Sequence, residues 1–220
     1  MSGFSLVMDN VSFAYPSVPA GFSLAIEHFA PGICTALFGR NGSGKTTLGK
    51  LAAGLLKPNS GRVLYDGQCI SDWELGRIGG HVGYLFQDPS RQIFAPRPLD
   101  EIAFPLELRG MPKEQAETKA RELLVEFELE AIEQNTTYTL SRGEKQRLAI
   151  AAIMACEPRY LIFDEPTTGL DRRRSEILAE TLLKLIKRDV GILLITHDVG
   201  FAERLSADIR IIEEGRLLDE

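Results

Sequence analysis

A chain of 220 residues with 44% hydrophobic and 25% charged content has material for one large core, and reads as one domain with room for an inserted subdomain. Its net charge of −6 gives no global basic field, which argues against nucleic acid as a partner. No apolar run approaches the length that spans a bilayer, and the first residues lack a basic region and a signal-type core, so the protein is expected in the cytoplasm.

Residues 4 to 15 alternate roughly as a strand, and Phe22, Leu24 and Ile26 alternate as a second. The apolar run Ile33 to Phe38 then reads as a buried strand, and Gly39-Arg40-Asn41-Gly42-Ser43-Gly44-Lys45-Thr46 follows it directly, with Thr47 behind. This stretch fits G-x-x-x-x-G-K-[ST] at every fixed position, and Thr46 to Leu56 reads as the helix that such a loop feeds. Glycines let the backbone wrap a polyphosphate, successive N–H groups form an anion nest, and the helix start adds its dipole. Lys45 would neutralise the β- and γ-phosphates, and the Thr46 hydroxyl would ligate Mg²⁺. An ordinary glycine turn would need a chance match, on the order of one percent for a chain this long.

Asp66-Gly67, between two short β runs in Arg62 to Ile70, predicts a hairpin, so the front of the chain is partly antiparallel. Val82 to Phe86, Tyr160 to Phe163 and Gly191 to Thr196 are short, continuous and apolar, as parallel strands covered on both faces are. Strand signals vanish between residues 88 and 157. Pro112 marks a helix start there, and Ala116, Ala120, Leu123, Leu124 and Phe127 repeat at helical spacing. The expected fold is therefore an α/β core with a mixed, largely parallel sheet, an N-terminal antiparallel β portion over about 1–87, a return to the core over 158–220, and a helical subdomain inserted at about 88–157. A last β segment, Ile209 to Ile212, turns through Glu213-Glu214-Gly215 into Arg216 to Leu218.

Ligands of open parallel sheets gather outside the carboxyl ends of the strands. Here the ends carry the phosphate loop, Gln87, Asp164-Glu165 and His197-Asp198, all groups that handle phosphate, metal or water. Side chains that alternate along an extended segment would let Asp164 hold Mg²⁺ while Glu165 polarises water. His28 and His81 have no such setting and read as structural, as do the widely spaced Cys34, Cys69 and Cys156. Arg172-Arg173-Arg174 reads as a solvated first helical turn. Ser141-Arg142-Gly143-Glu144 reads equally as a capping box or as a helix start that binds an anion.

Together these residues resemble the nucleotide-binding subunits of ABC transporters over essentially the whole chain. GRNGSGKTT, Gln87, Leu140-Ser141-Arg142-Gly143-Glu144, LIFDE, Gly169-Leu170-Asp171 and His197 stand in the order of that family. The resemblance implies a phosphate-loop ABC ATPase, with ATP and Mg²⁺ as cofactors, Lys45, Gln87, Glu165 and His197 in catalysis, and Thr46, Gln87 and Asp164 around the metal. It also implies that Tyr15 stacks on adenine. Ser141 and Gly143 would contact the γ-phosphate held by a second ATPase subunit, identical or not, with Asp171 at the dimer interface. The family signature is LSGGQ, and this chain has Arg142 and Glu144 in place of a glycine and the glutamine. Its Thr168-Gly169 stands where serine-alanine is commoner.

A narrower resemblance rests on Phe86-Gln87-Asp88-Pro89-Ser90-Arg91-Gln92-Ile93-Phe94 and on Asp100-Glu101-Ile102-Ala103-Phe104, similar to energy-coupling-factor importers of vitamins and of metals such as cobalt or nickel. Many of those carry an additional C-terminal region, which is not expected here. The expectation is an ATP-driven motor on the cytoplasmic face of the membrane, bound to integral membrane subunits and to no nucleic acid. The rivals are a soluble ABC ATPase acting on nucleic acid or ribosomes, and a nucleotide-gated assembly module without a transport role.

Overall fold

The computed structural model describes residues 6–16, 21–24 and 26–218. The expected beginning of the first strand at residues 4 and 5 lies outside them. Two sheets organise the chain. In the antiparallel one, β1 (Leu6–Phe13) pairs with β2 (Phe22–Ser23), β3 (Ile26–Phe29) and β5 (Ser60–Tyr65), and β5 pairs with β6 (Gln68–Cys69). Tyr65 stands opposite Gln68, so Asp66-Gly67 forms the tight hairpin expected.

The second sheet runs β11-β10-β4-β9-β8-β7. It comprises β4 (Cys34–Phe38), β7 (Val82–Leu85), β8 (Tyr160–Asp164), β9 (Gly191–Ile195), β10 (Asp208–Glu213) and β11 (Arg216–Leu217). All its pairings are parallel except that of β10 with β11. The phosphate loop leads from β4 into α1 (Lys45–Ala52), and α2 (Leu75–Ile78) precedes β7. Between β7 and β8 lie only helical segments, chiefly α3 (Pro98–Leu108), α4 (Lys113–Glu126) and α5 (Arg142–Met154). α6 (Arg172–Lys187) and α7 (Val199–Arg204) complete the fold.

The unbroken apolar strands are explained by two cores. Leu161 and Phe163 of β8 enter a cluster built with α3 to α7, while Tyr160 and Ile162 enter one shared with α1 and the antiparallel sheet. Successive side chains face opposite sides, so a strand buried on both faces must be apolar throughout.

Two expectations about elements are corrected. The helix after the phosphate loop stops at Ala52 rather than Leu56, because Gly54 takes φ +65° and bonds back to Leu51. Phe22, Leu24 and Ile26 do not share one alternating strand. Phe22 and Leu24 point inward, Ile26 is exposed and Phe29 is buried. The cause is on the partner strand. Asn10 of β1 sits at φ +49°, the register with β5 shifts between Asp9 and Ser12, and the inward phase of β1 moves from Leu6 and Met8 to Val11.

His81 packs against Tyr65 and Trp73, and burial holds its pKa below the ordinary value. Cys34 is buried and its thiol is pushed up to about 12, so it is inert. Glu101, in the first turn of α3, is 4% exposed and accepts hydrogen bonds from the Phe94 and Ala95 amides at 3.0 and 2.7 Å. Burial raises its pKa, with those two bonds opposing. The folded protein therefore keeps this proton to higher pH than the unfolded chain, and stability falls as pH rises through that window. Glu101→Gln, which preserves an acceptor without the charge, is expected to raise Tm near neutral pH, with the gain vanishing by about pH 4. Thermal melts at both values check this.

Candidate nucleotide and metal site

The sequence folds the phosphate loop by crowding as much as by bonding. A Cβ on Gly39 would come 2.2 Å from the Ile212 carbonyl oxygen of β10, so only glycine fits. Ser43 N–H donates to Arg40 O at 3.1 Å, and Gly215 N–H donates to Ser43 O at 2.9 Å. Lys45 is 8% exposed, and its Nζ donates to Gly39 O and Arg40 O at 2.8 and 3.1 Å. The start of α1 has no side-chain cap and no acidic residue, so its dipole and free N–H groups have no anionic neighbour on that helix. The buried Ser43 Oγ has no hydrogen-bond partner among the described residues. These groups suit a bound anion.

β8 ends beside the loop. Asp164 Oδ1 accepts from the Thr46 hydroxyl at 3.2 Å, and its Oδ2 accepts from the Tyr84 hydroxyl of β7 at 3.0 Å. Burial first, and then the Asp164 charge, push the Tyr84 pKa far up, so it stays a donor. Glu165 does not continue the strand. It takes φ +51°, with its N–H on Ile195 O at 2.8 Å. The alternation expected of an extended Asp164-Glu165 pair is thus replaced by a left-handed turn, and both carboxylates line the same cavity. His197 Nδ1, beyond β9, lies 2.8 Å from Glu165 Oε2. That buried oxygen has no other partner among the described residues, so it gains a donor only when Nδ1 carries the proton.

A cavity of about 1000 Å³ joins these groups. Its walls hold Tyr15, Asn41, Gly42, Ser43, Gly44, Lys45, Thr46, Thr47, Gln87, Asp164, Glu165 and His197, every one a candidate from the sequence. Tyr15 is half exposed at the rim and packs edge-on against Phe13, with centroids 4.8 Å apart. Gly39 and Arg40 hold Lys45 from behind. Among the described residues no cluster of three or more His, Cys, Asp and Glu could hold a metal. The adjacent Thr46 and Asp164 oxygens nevertheless fit Mg²⁺, which takes few protein ligands and completes its shell with phosphate oxygens and water.

Ser141, Gly143 and Asp171 are not in these walls. Ser141 caps α5 in a full capping box, donating its N–H to Glu144 Oε2 at 2.7 Å and accepting the Glu144 N–H at 3.4 Å. The Ser141 bonds hold the Glu144 carboxyl below its usual range. Asp171 caps α6 by accepting the Arg174 N–H at 2.9 Å. Tyr84, which bonds Asp164, is a residue of the site that the sequence does not point to, and Thr168 is marked there only as a departure from the family's serine. Tyr84 is a polar tip on an otherwise apolar strand. Thr168, in the cavity wall, has a buried hydroxyl without a partner among the described residues.

Known proteins are similar to this chain over most of its length. The family model described as ABC transporter matches residues 25–168, well over half the chain. The energy-coupling factor transporter ATP-binding protein EcfA1 of Halalkalibacterium halodurans is 36% identical over 97% of this chain and 77% of its own length. A longer protein of Methanosarcina acetivorans, provisionally named an ABC transporter ATP-binding protein, is 42% identical over 83% of this chain, which spans 30% of that protein. Among solved structures, cbiO1 of Clostridium perfringens, described as part of the transporter complex cbiONQ, superposes with a TM-score of 0.88 at 29% identity, covering 99% of this chain and 88% of that one. The ATP-binding cassette MJ0796, solved as a dimer with ADP and Pi, gives 0.82 at 26% identity, covering 97% of each chain.

Proposed function

Because this chain belongs to the ABC transporter family as an ATPase domain, we propose that it is the motor subunit of a membrane importer of the energy-coupling-factor type, serving uptake of a vitamin or a transition-metal ion. The observation that carries the ATPase part is the convergence of the phosphate loop, Gln87, Asp164, Glu165 and His197 in one cavity. The importer part is supported by the relatives and by the stretches Phe86 to Phe94 and Asp100 to Phe104.

In this reading Tyr15 stacks on adenine, and Lys45 leaves its two loop carbonyls for the β- and γ-phosphates. Thr46, Asp164 and Gln87 hold Mg²⁺, which when bound neutralises phosphate charge. Glu165 orients a water in line with the γ-phosphorus and accepts its proton, while His197 steadies the γ-phosphate. Such transfer is catalysed by positioning and charge neutralisation. Ser141 and Gly143 serve the nucleotide of a second subunit and Asp171 lies at that interface, consistent with their absence from this subunit's own cavity. Residues 88–157 act as the helical subdomain.

We place the membrane subunit over an apolar groove of about 390 Å³ between α2, α3 and α5, where Leu75, Phe94, Phe104 and Leu108 are exposed. Phe86, next to Gln87, lines the same groove, so an occupant would press on the nucleotide cavity. The complex would then sit on the cytoplasmic face of the membrane. The test is purification from detergent-extracted membranes after co-expression with the membrane subunits. Recovery in one complex is expected, and is lost in Phe104→Asp. Recovery of the wild type outside the membrane, bound to nucleic acid in a salt-sensitive way, overturns the reading.

A further inference from the structure

Arg142 opens α5, where its charge faces the positive end of the helix dipole, an electrostatically poor place for a cation. Its side chain does not run out into water. Nη2 donates to the Gln87 carbonyl oxygen at 3.0 Å, across 55 positions of sequence. Cζ, Nε and Nη1 each lie 3.5 Å from where a Cβ would stand on Gly169. Three equal distances turn the face of the guanidinium toward the side of Gly169 where a Cβ would stand. One planar group on the start of α5 thus bonds the loop after β7 and covers the open side of Gly169 in the turn between β8 and α6. Gln87 and Thr168, the neighbour of Gly169, both belong to the nucleotide cavity.

We propose that Arg142 is a positioning residue that makes the start of α5 follow the walls of its own subunit's nucleotide cavity. Filling the cavity then orders residues 141–148 of the same chain before any second subunit arrives. The proposal rests on the nucleotide reading of Gln87 and the phosphate loop. It also uses what distinguishes arginine from lysine. A lysine reaches a carbonyl, but only a planar guanidinium both donates to it and turns a flat face toward the side-chain-free glycine beside it.

The test is amide exchange on the full chain carrying Glu165→Gln, so that nucleotide persists, at a dilution where it sediments as a monomer. MgATP is expected to slow exchange over residues 142–148 about fivefold, the scale set by one side-chain hydrogen bond. Adding Arg142→Ala is expected to abolish that slowing while protection of residues 41–47 by MgATP remains. Arg142→Lys is expected to recover part of it. Equal slowing at 142–148 in the alanine variant, even with a lowered Tm, overturns the proposal. Absence of MgATP protection at 41–47 in the Glu165→Gln protein itself instead overturns the nucleotide reading on which the proposal stands.

Discussion

Glu165→Gln is expected to cut ATP turnover by a factor on the order of 10²–10⁴, the range for losing a general base, while MgATP still binds. The substitution keeps the shape of the side chain and leaves an amide oxygen facing His197, 2.8 Å from Glu165 Oε2 in the parent protein. It removes the one property the proposed step requires, the capacity to take a proton from water. It also removes a negative charge from a largely buried position in a cavity meant for polyphosphate. Nucleotide should therefore stay bound, and dimers joined through it should accumulate. Phosphate release, equilibrium binding and sedimentation read the three consequences. Turnover at the parental rate would remove Glu165 from the mechanism.

Lys45→Ala should act at the opposite step. Lys45 Nζ holds the carbonyls of Gly39 and Arg40, and in the proposed bound state it moves to two phosphates. Charge-assisted hydrogen bonds contribute about 1.5–3 kcal/mol each, so ATP affinity is expected to fall by a factor on the order of 100 or more. Lys45 lines the cavity, so water can enter the space its ammonium leaves and reach the two carbonyls, and stability should change by less than about 2 kcal/mol. Calorimetric titration with MgATP and a thermal melt separate the two effects. Undiminished affinity would mean that the loop amides alone hold the phosphates.

Much of the site was legible because its signals are local. The phosphate loop, and the residue following each apolar strand, need only a short window of sequence, and parallel topology converts adjacency to a strand end into adjacency in space. What stayed hidden depends on the partner. Asn10 shifts the phase of β1, and with it that of Phe22 to Phe29, through pairing that no window around Phe22 contains. Glu165 leaves the extended conformation because its N–H is taken by Ile195, thirty residues on. Glu101 looks like an ordinary first-turn acid until the amides of Phe94 and Ala95 fold over it. Arg142 could be seen as unusual, but its neighbours Gln87 and Gly169 could not be read from α5.

The place of β4 in the sheet bears on when the protein becomes competent during synthesis. β4 carries the phosphate loop, and both its hydrogen-bonding neighbours, β9 and β10, begin more than 150 residues later. The loop's own clamp, Ile212 and Gly215, comes later still. Contacts this distant in sequence form only after the intervening chain is available. On the ribosome, the motif is thus completed only after β9 and β10 have emerged, more than 150 residues behind β4. Until those strands arrive, the nascent chain displays an apolar β4 with both edges unpaired, the state in which it most needs a chaperone's cover.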